Sequence, residues 1–583
     1  MIAALAMGLT AELPSLPPIR REPQITYLDR SGAVIGVRGG RYGPPVNIDR
    51  LPAYVPAAFV AIEDRRFYSH AGIDPVGMAR ALVADLTSGR TAQGGSTITQ
   101  QLARNLYLSN DQTLERKGQE LIYAAELERV YSKKQILGLY LSRIYFGSGA
   151  YGIEAAAHRY FNKPAERLTL REAAMLAAVP KSPTAYDPAE QPTRSAERTA
   201  LVLSAMVDTG AITQTQRARA LAHPAKVWPS EEASAGQYFI DWIDGPVRKT
   251  LGAARADAIV DTTLDLPAER AAGEAVKTVV GRFAHAGAGQ AAVVSMDAIG
   301  RVRVLVGGLD HDSGPYDRAV SAHRQAGSSW KPFVYLAAME AGRTPDTMAV
   351  DEPVTIAGWS PRDFEPEFMG PVTLQVALAH SLNTVAARLA DEIGRQNVVA
   401  AAHRVGILSP IGTEPAMALG AELVAPLEMA QAYDAFSNGG ARVSAYGIER
   451  IRTVSGRLIF AHRGPAPQPA IANPALSEMN QMLRTVITAG TGARAAIPGY
   501  DLAGKTGTTS DFRDAWFCGF TGGLTTVVWM GRDDNAPMRG ITGGSAPAEL
   551  WRMVMRTALP RLPHGPIPAG APAPAPVVPV AQP

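Results

Sequence analysis

Three short strings in the second half of the chain collect the residue types of serine acyl transfer: Ser328-Ser-Trp-Lys331, Ser381-Leu-Asn383 and Lys505-Thr506-Gly507-Thr508. A serine hydroxyl is a poor nucleophile until a neighbouring base takes its proton. Ser328 and Lys331 are three apart, so on a helix they share a face. Pro332 sets where that helix starts, because proline lacks an N–H and clashes with the carbonyl four residues back, that of Ser328. The spacing therefore predicts Ser328 in or before the first turn, at the positive end of the helix dipole. Lys331 must be neutral part of the time to act as base. A dry site holding a second cation, Lys505, would lower its pKa. Ser381 and Asn383 supply a hydroxyl for proton relay to the leaving group and an amide for the substrate backbone. Lys505, Thr506 and Thr508 suit a terminal carboxylate. Gly507 lets another backbone come close, and the N–H groups of Ser328 and Thr508 are candidate oxyanion donors. Each string alone is commonplace, and Ser132–Gln135 with its lysines reads as an ordinary helix start. The ordered set points to acyl transfer on a peptide that ends in a carboxylate.

The first half holds a different chemistry. Glu63 and Asp64 sit in a polar loop after the apolar run Ala57–Ile62, and Arg116, Lys117 and Glu120 share a helical face at spacings of four and three. Polymerising a sugar needs a base for the attacking hydroxyl and cations for a pyrophosphate leaving group. On spacing alone, the favoured reading of such pairs is a solvated ion pair of little value.

The local contexts carry a resemblance. Arg324-Gln-Ala-Gly-Ser-Ser-Trp-Lys-Pro-Phe-Val-Tyr335, Ala418-Leu-Gly-Ala421, Pro426-Leu-Glu-Met-Ala430, Phe436-Ser-Asn-Gly-Gly440, Gly490-Thr-Gly-Ala-Arg494, Asp514-Ala-Trp-Phe517 and Trp529-Met-Gly-Arg-Asp-Asp-Asn535 resemble the transpeptidase half of class A penicillin-binding proteins, from about Gln290 to Trp551. Upstream stand Glu63-Asp64-Arg-Arg-Phe67-Tyr-Ser-His70, Gly94-Gly-Ser96-Thr97-Ile-Thr-Gln100-Gln101-Leu-Ala-Arg104-Asn105, Arg116-Lys117-Gly-Gln-Glu120, Lys133-Lys-Gln-Ile-Leu137, Tyr140-Leu141 and Gly147–Gly152. These resemble the lysozyme-like peptidoglycan glycosyltransferases, from roughly Asn47 to Trp228.

The resemblance implies a mainly α glycosyltransferase domain followed by an α/β transpeptidase domain with a mixed five-stranded sheet. It implies a bifunctional peptidoglycan synthase that polymerises lipid II with inversion, by analogy with inverting glycosidases, and cross-links stem peptides through a Ser328 acyl-enzyme. The implied catalytic residues are Glu63 as base, Glu120 as second carboxylate, and Ser328, Lys331, Ser381, Asn383 and Lys505. The implied substrate-binding residues are Asp64, Phe67, His70, Ser96, Thr97, Gln100, Gln101, Arg104, Asn105, Arg116, Lys117, Thr506, Gly507 and Thr508. The larger share for His70 goes to a structural hydrogen bond. The implied partners are lipid II and nascent peptidoglycan, the membrane surface, β-lactams at Ser328 and cell-wall regulatory proteins. The catalytic domains would face the periplasm or cell exterior from a cytoplasmic-membrane anchor.

Some positions depart from the family pattern: Arg104 for a lysine, Gly138 for a glutamate, Ser142 for an asparagine and Gln112 for an arginine. Glycine inside a helix costs about 1 kcal/mol against alanine, so Gly138 reads as no stability choice. These departures keep open a second reading, in which only the transpeptidase or a carboxypeptidase works and the first half is weak or inert. A non-catalytic scaffold is a third, opposed by Ser328, Lys331, Lys505 and Glu63.

Length and composition fit this layout. A chain of 583 residues is too long for one core. Its net charge of +3 gives no reason to expect nucleic acid. The single cysteine, Cys518, excludes an internal disulfide. No Cys/His spacing points to zinc and no cofactor is named. Charge alone leaves room for a divalent cation beside the pyrophosphate, without a ligand set. Ile2–Leu9 is an apolar run spanning roughly 12 Å as a helix, short of the ~30 Å hydrocarbon core. It is read as the remnant of a membrane anchor. The expected divisions are 1–22 anchor remnant and linker, 23–46 short β-like lead-in, 47–228 glycosyltransferase, 229–284 connector, 285–560 transpeptidase and 561–583 a disordered Pro/Ala-rich tail.

Overall fold

The computed structural model describes residues 23–77, 96–108, 113–228, 235–252 and 257–568. The anchor remnant and the Gln112 position lie outside these residues. The chain divides into two compact units, the first mainly residues 37–231 and the second mainly 259 onward, with 26–36 and 232–252 joining the second.

The first unit is helical, and its helices begin where side chains satisfy their free N–H groups. Thr97 caps Ile98–Tyr107, Ser132 forms a capping box with Gln135 ahead of Lys133–Arg143, and Thr169 does the same with Glu172 ahead of Leu170–Ala178. The helix Tyr54–Glu63 packs on Leu170–Ala178 and Pro192–Asp208, while Ile98–Tyr107 packs on Leu114–Val130 and Lys133–Arg143. Val55, Phe59, Leu102, Leu106, Tyr140, Phe146 and Leu176 form part of one shared core.

In the second unit the central sheet runs Ala503–Thr508, Asp514–Thr521, Leu524–Gly531, Gln290–Asp297, Val302–Val306. The α/β layering is the expected one, and the strand directions refine it: all four pairings are antiparallel. Short connections explain three of them, since strands joined by a few residues must turn back on themselves, while Leu524–Gly531 and Gln290–Asp297 pair across a long stretch of chain. Nearly continuous burial along these strands follows from helices on both faces. Leu266–Phe283 and Ala546–Ala558 pair on one face; Pro426–Ser437 covers the other.

A second five-stranded sheet has the order Leu458–Ala461, Ile448–Thr453, Ala258–Thr262, Ile25–Leu28, Val34–Arg38. The lead-in thus pairs with the connector strand, and the connector strand with a hairpin far downstream. The tail also differs from expectation over its first residues. Leu562 and Ile567 are buried, Gly565 bridges to Gly522, and Ile567 N–H donates to Asp501 Oδ2 at 3.0 Å. Two apolar anchors among the prolines dock residues 561–568. Among the described residues, no helix is long and apolar enough to cross a membrane.

Gly138 lies within Lys133–Arg143. A Cβ there would meet Ile48 at 3.8 Å and Val46 O at 3.9 Å, which is ordinary contact. Space does not demand this glycine. Gly138→Ala is expected to stabilise the first unit by about 1 kcal/mol, read as a higher denaturation midpoint; an unchanged or lower midpoint would show that the helix needs the missing side chain.

Candidate active sites

In the first unit, Glu63 ends the helix Tyr54–Glu63 and Asp64 is its C-cap. Glu63 Oε2 accepts from Gln101 Nε2 at 2.8 Å, and Gln101 Oε1 accepts from the Tyr140 hydroxyl at 3.2 Å. Burial pushes the Glu63 carboxyl up, and the Gln101 bond and the charges of Arg198, Lys181 and Arg104 oppose that rise. The negative end of the helix dipole works in the same sense as burial. A carboxyl held above its ordinary range is suited to taking a proton.

Glu120 is buried, not solvated: its carboxylate accepts from Arg116 Nη1 at 2.8 Å and from Lys117 Nζ. Lys117 Nζ also donates to Ser96 Oγ at 3.0 Å and Gln100 Oε1 at 3.4 Å. The structure therefore brings Ser96, Gln100, Arg116, Lys117 and Glu120 into one cluster, and Arg104 near Glu63. Asp64, Phe67, His70 and Thr97 turn inward instead. His70 Nε2 meets both Asp64 oxygens at 3.0 Å, and Ile98 N–H donates to Asp64 Oδ2 at 3.0 Å. Phe67 is fully buried, packed edge-on to His70 with Lys133 Nζ 4.5 Å over its ring. Thr97 caps its helix and donates to Gly72 O at 2.6 Å. These four build the frame. Asn105 is exposed. Ser142 donates to Gly138 O at 2.7 Å and accepts from Val46 N–H at 3.0 Å, so it ties the entering chain to its helix. Sequence reasoning assigned no role to Tyr140, Lys181 or Arg198, whose link to Glu63 exists only in space. Among the described residues, no group of three or more His, Cys, Asp or Glu is placed to hold a metal ion.

In the second unit, Ser328 lies in a 3-10 turn, Gly327–Trp330, and the helix Lys331–Glu340 follows with Pro332 in its first turn. The turn is clamped. Gly327 has φ +53°, and a Cβ on it would fall 2.6 Å from Thr508 O and 2.8 Å from Thr508 C. From the other side, a Cβ on Gly420 would lie 2.2 Å from Gly327 O, and Gly327 N–H donates to Gly420 O at 3.1 Å. Gly507 likewise faces Ala326 O, 2.6 Å from where its Cβ would sit. Only residues without side chains allow the serine turn and the strand Ala503–Thr508 to touch.

Lys331 and Lys505 are both fully buried. Lys331 Nζ donates to Asn383 Oδ1 at 2.6 Å, to Ser381 Oγ at 3.3 Å and to Ser381 O. Lys505 Nζ donates to the same Ser381 Oγ at 2.9 Å and to Thr506 O at 3.1 Å. Burial and the charge of Lys505 hold Lys331 well below the ordinary lysine range. Burial brings Lys505 down to about 7. Thr506 Oγ1 is 2.7 Å from Thr491 Oγ1, and Thr508 Oγ1 accepts from Gly543 N–H at 3.0 Å. Ser328, Ser381, Asn383, Thr506 and Thr508 open into a cleft of roughly 840 Å³. Its wall includes Trp359, Asp363, Phe364 and Phe512, which no motif named. Cys518 is buried behind Lys505 as a free thiol.

A helical unit with a buried carboxyl, followed by an α/β unit with this serine–lysine cleft, is the make-up of the class A penicillin-binding proteins. Residues 31–207 match the transglycosylase family model, and residues 291–556 match the penicillin binding protein transpeptidase domain. The chain is 33% identical to penicillin-binding protein 1A of Aquifex aeolicus over 615 residues, covering 90% of this chain and 84% of that one. It is 33% identical to penicillin-binding protein 1A of Neisseria flavescens, covering 94% and 85%. Among solved structures, penicillin-binding protein 1A from Haemophilus influenzae aligns over 94% of both chains with a TM-score of 0.65 at 22% identity. Penicillin-binding protein PonA1 from Mycobacterium tuberculosis aligns over 59% of this chain and 99% of that one, with a TM-score of 0.52 at 27% identity. The chain belongs to the penicillin-binding protein 1A family, with a peptidoglycan glycosyltransferase and a serine-type D,D-transpeptidase in one polypeptide.

The raised Glu63 has a stability consequence. Its folded carboxyl holds a proton more tightly than the unfolded one, so its contribution is fully present below the unfolded pKa, about 4.3, and is lost as pH rises through the folded titration. Glu63→Gln has no charge to bury. It is expected to melt at a higher temperature than the wild type at neutral pH, with the difference closing in acid; a lower melting point at neutral pH would mean that the ionised carboxylate is well solvated or paired.

Proposed function

We propose that the first unit polymerises lipid II with Glu63 as the general base. Glu63 takes the proton of the acceptor hydroxyl as that oxygen attacks the sugar carbon from the face opposite the departing pyrophosphate. The configuration inverts and no covalent enzyme intermediate forms. Arg104, Arg116 and Lys117 stabilise the leaving pyrophosphate, and Glu120 holds Arg116 and Lys117 in place.

In the second unit, Ser328 Oγ attacks the carbonyl carbon of the penultimate D-Ala of a stem peptide while neutral Lys331 takes its proton. The N–H groups of Ser328 and Thr508 receive the oxyanion. Ser381, between the two lysines, passes a proton to the departing D-Ala amine. An amine from a neighbouring strand then attacks the ester and frees Ser328. Lys505, Thr506 and Thr508 hold the terminal carboxylate, and its arrival favours the charged form of Lys505. The observation that carries this reading is the buried pair Lys331 and Lys505 converging on one hydroxyl, that of Ser381. A solved relative of the transpeptidase half, PonA1, is described in complex with penicillin V, which supports β-lactam acylation at Ser328. The natural substrates, lipid II and nascent glycan, place the working protein at a membrane surface.

Labelled lipid II supplied to the wild type, Glu63→Gln and Ser328→Ala tests both halves. Glu63→Gln is expected to stop chain growth. Ser328→Ala is expected to leave polymer without cross-links and to abolish penicillin labelling. Polymer from the Glu63 variant would remove Glu63 as the base, and no polymer from the wild type would favour the reading in which only the transpeptidase works.

A further inference from the structure

Beside Lys331 lies a group of buried and half-buried polar side chains that the acyl-transfer steps above do not use. The backbone N–H of Asn383 donates to Asp363 Oδ1, and Asn383 Nδ2 donates to Arg362 O at 2.6 Å. One short loop therefore grips Asn383 by backbone and side chain, leaving its Oδ1 for Lys331. Asp363 Oδ2 is buried and has no partner among the described residues. It lies within hydrogen-bonding reach of the Asp351 carboxyl. Asp351 is itself fully buried and already accepts from Thr384 Oγ1 and, at 2.7 Å, from Met369 N–H.

Two facing carboxylates with no cation between them repel each other, and a buried acceptor without a donor costs about 1–3 kcal/mol. One proton removes both penalties. It belongs on Asp363 Oδ2, the only one of the four oxygens without a donor, from which it donates to Asp351. We infer that Asp363 is a positioning residue for acylation: its carboxyl, bonded to Asp351 through one shared proton, fixes Asn383 and leaves a single negative charge behind Lys331. The inference rests on the acyl-transfer reading of Ser328 and Lys331.

The surroundings agree. Burial and Asp351 raise the Asp363 carboxyl, while the Asn383 bond and Lys331 oppose that rise. The groups facing the pair are Lys331 and the unpartnered Tyr335 hydroxyl from the helix Lys331–Glu340, and Asn383 and Thr384 from Asn383–Ile393. Lys505 acts on Lys331. Two full negative charges here would favour the ammonium form of Lys331 and so remove the base; a single charge leaves burial and Lys505 in control.

The test measures the second-order rate of acylation by a fluorescent penicillin and the carboxylic-acid C=O band in difference infrared spectra. It compares full-length wild type, Asp363→Ala and Asp363→Asn, with thermal melts and lipid II polymerisation as folding controls. Asp363→Ala is expected to lose roughly tenfold in acylation rate, the size of one lost buried hydrogen bond. Asp363→Asn, which can accept from Asn383 and donate to Asp351, is expected to restore most of that rate. The wild-type-minus-Asn spectrum is expected to show a protonated-carboxyl band. Wild-type acylation by Asp363→Ala, or no acid band in the difference spectrum, would overturn the inference. If the wild type and Ser328→Ala label equally, the underlying acyl-transfer reading has failed instead, which keeps the two failures apart.

Discussion

The transpeptidase half depends on a seam of backbone without side chains. Gly327 sits between Gly420 and the end of the strand Ala503–Thr508, so close that a Cβ on Gly327 would collide with the Thr508 carbonyl and a Cβ on Gly420 with the Gly327 carbonyl. That seam sets the turn that carries Ser328 against the strand that carries Lys505 and Thr508. It also brings the two candidate oxyanion donors to one place. Everything else in the cleft follows: the helix after Ser328 aims Lys331 at Ser381, and the strand aims Lys505 at the same hydroxyl from the other side. A donor displaced by an ångström is a weak donor, so packing at the seam acts directly on chemistry.

Both halves use burial to set protonation, in opposite directions. In the first, a carboxyl at a helix C-terminus is desolvated and becomes a better proton acceptor. In the second, an amine is desolvated beside another cation and spends more time neutral. Each reactive group is held by a neutral partner as well: Gln101 with Tyr140 behind it for Glu63, and Asn383 for Lys331. An amide fixes direction without supplying a counter-charge that would undo the shift.

Much of this was legible in the residues. Pro332 placed the start of its helix, Ser132 with Gln135 placed another, and the three strings named the side chains that meet around Ser381. The reason is that caps, proline geometry and short spacings are local. What was not legible depends on distance in sequence. Asp363 belongs to a loop with no periodicity and gains meaning only beside Asp351 and Asn383. Tyr140 and Gln101 lie on different helices. The lead-in strands pair with partners that arrive hundreds of residues later, and Leu562 and Ile567 look like part of a proline-rich tail until a groove is found to take them. The burial of Glu120 was also invisible, because spacing of four describes a solvated pair and a buried one equally well. Gly138 remains a helical glycine that packing does not explain.

The central claim is that contact of backbone with backbone at Gly327 creates the acylation site. The most direct measurement is the rate of penicillin acylation by Gly327→Ala in the full-length protein, with lipid II polymerisation by the same sample as internal control. Acylation is expected to fall by roughly a hundredfold or more, the cost of misplacing an oxyanion donor, while polymerisation continues at the wild-type rate. Acylation at the wild-type rate would show that the turn tolerates a side chain and that the seam does not set the site.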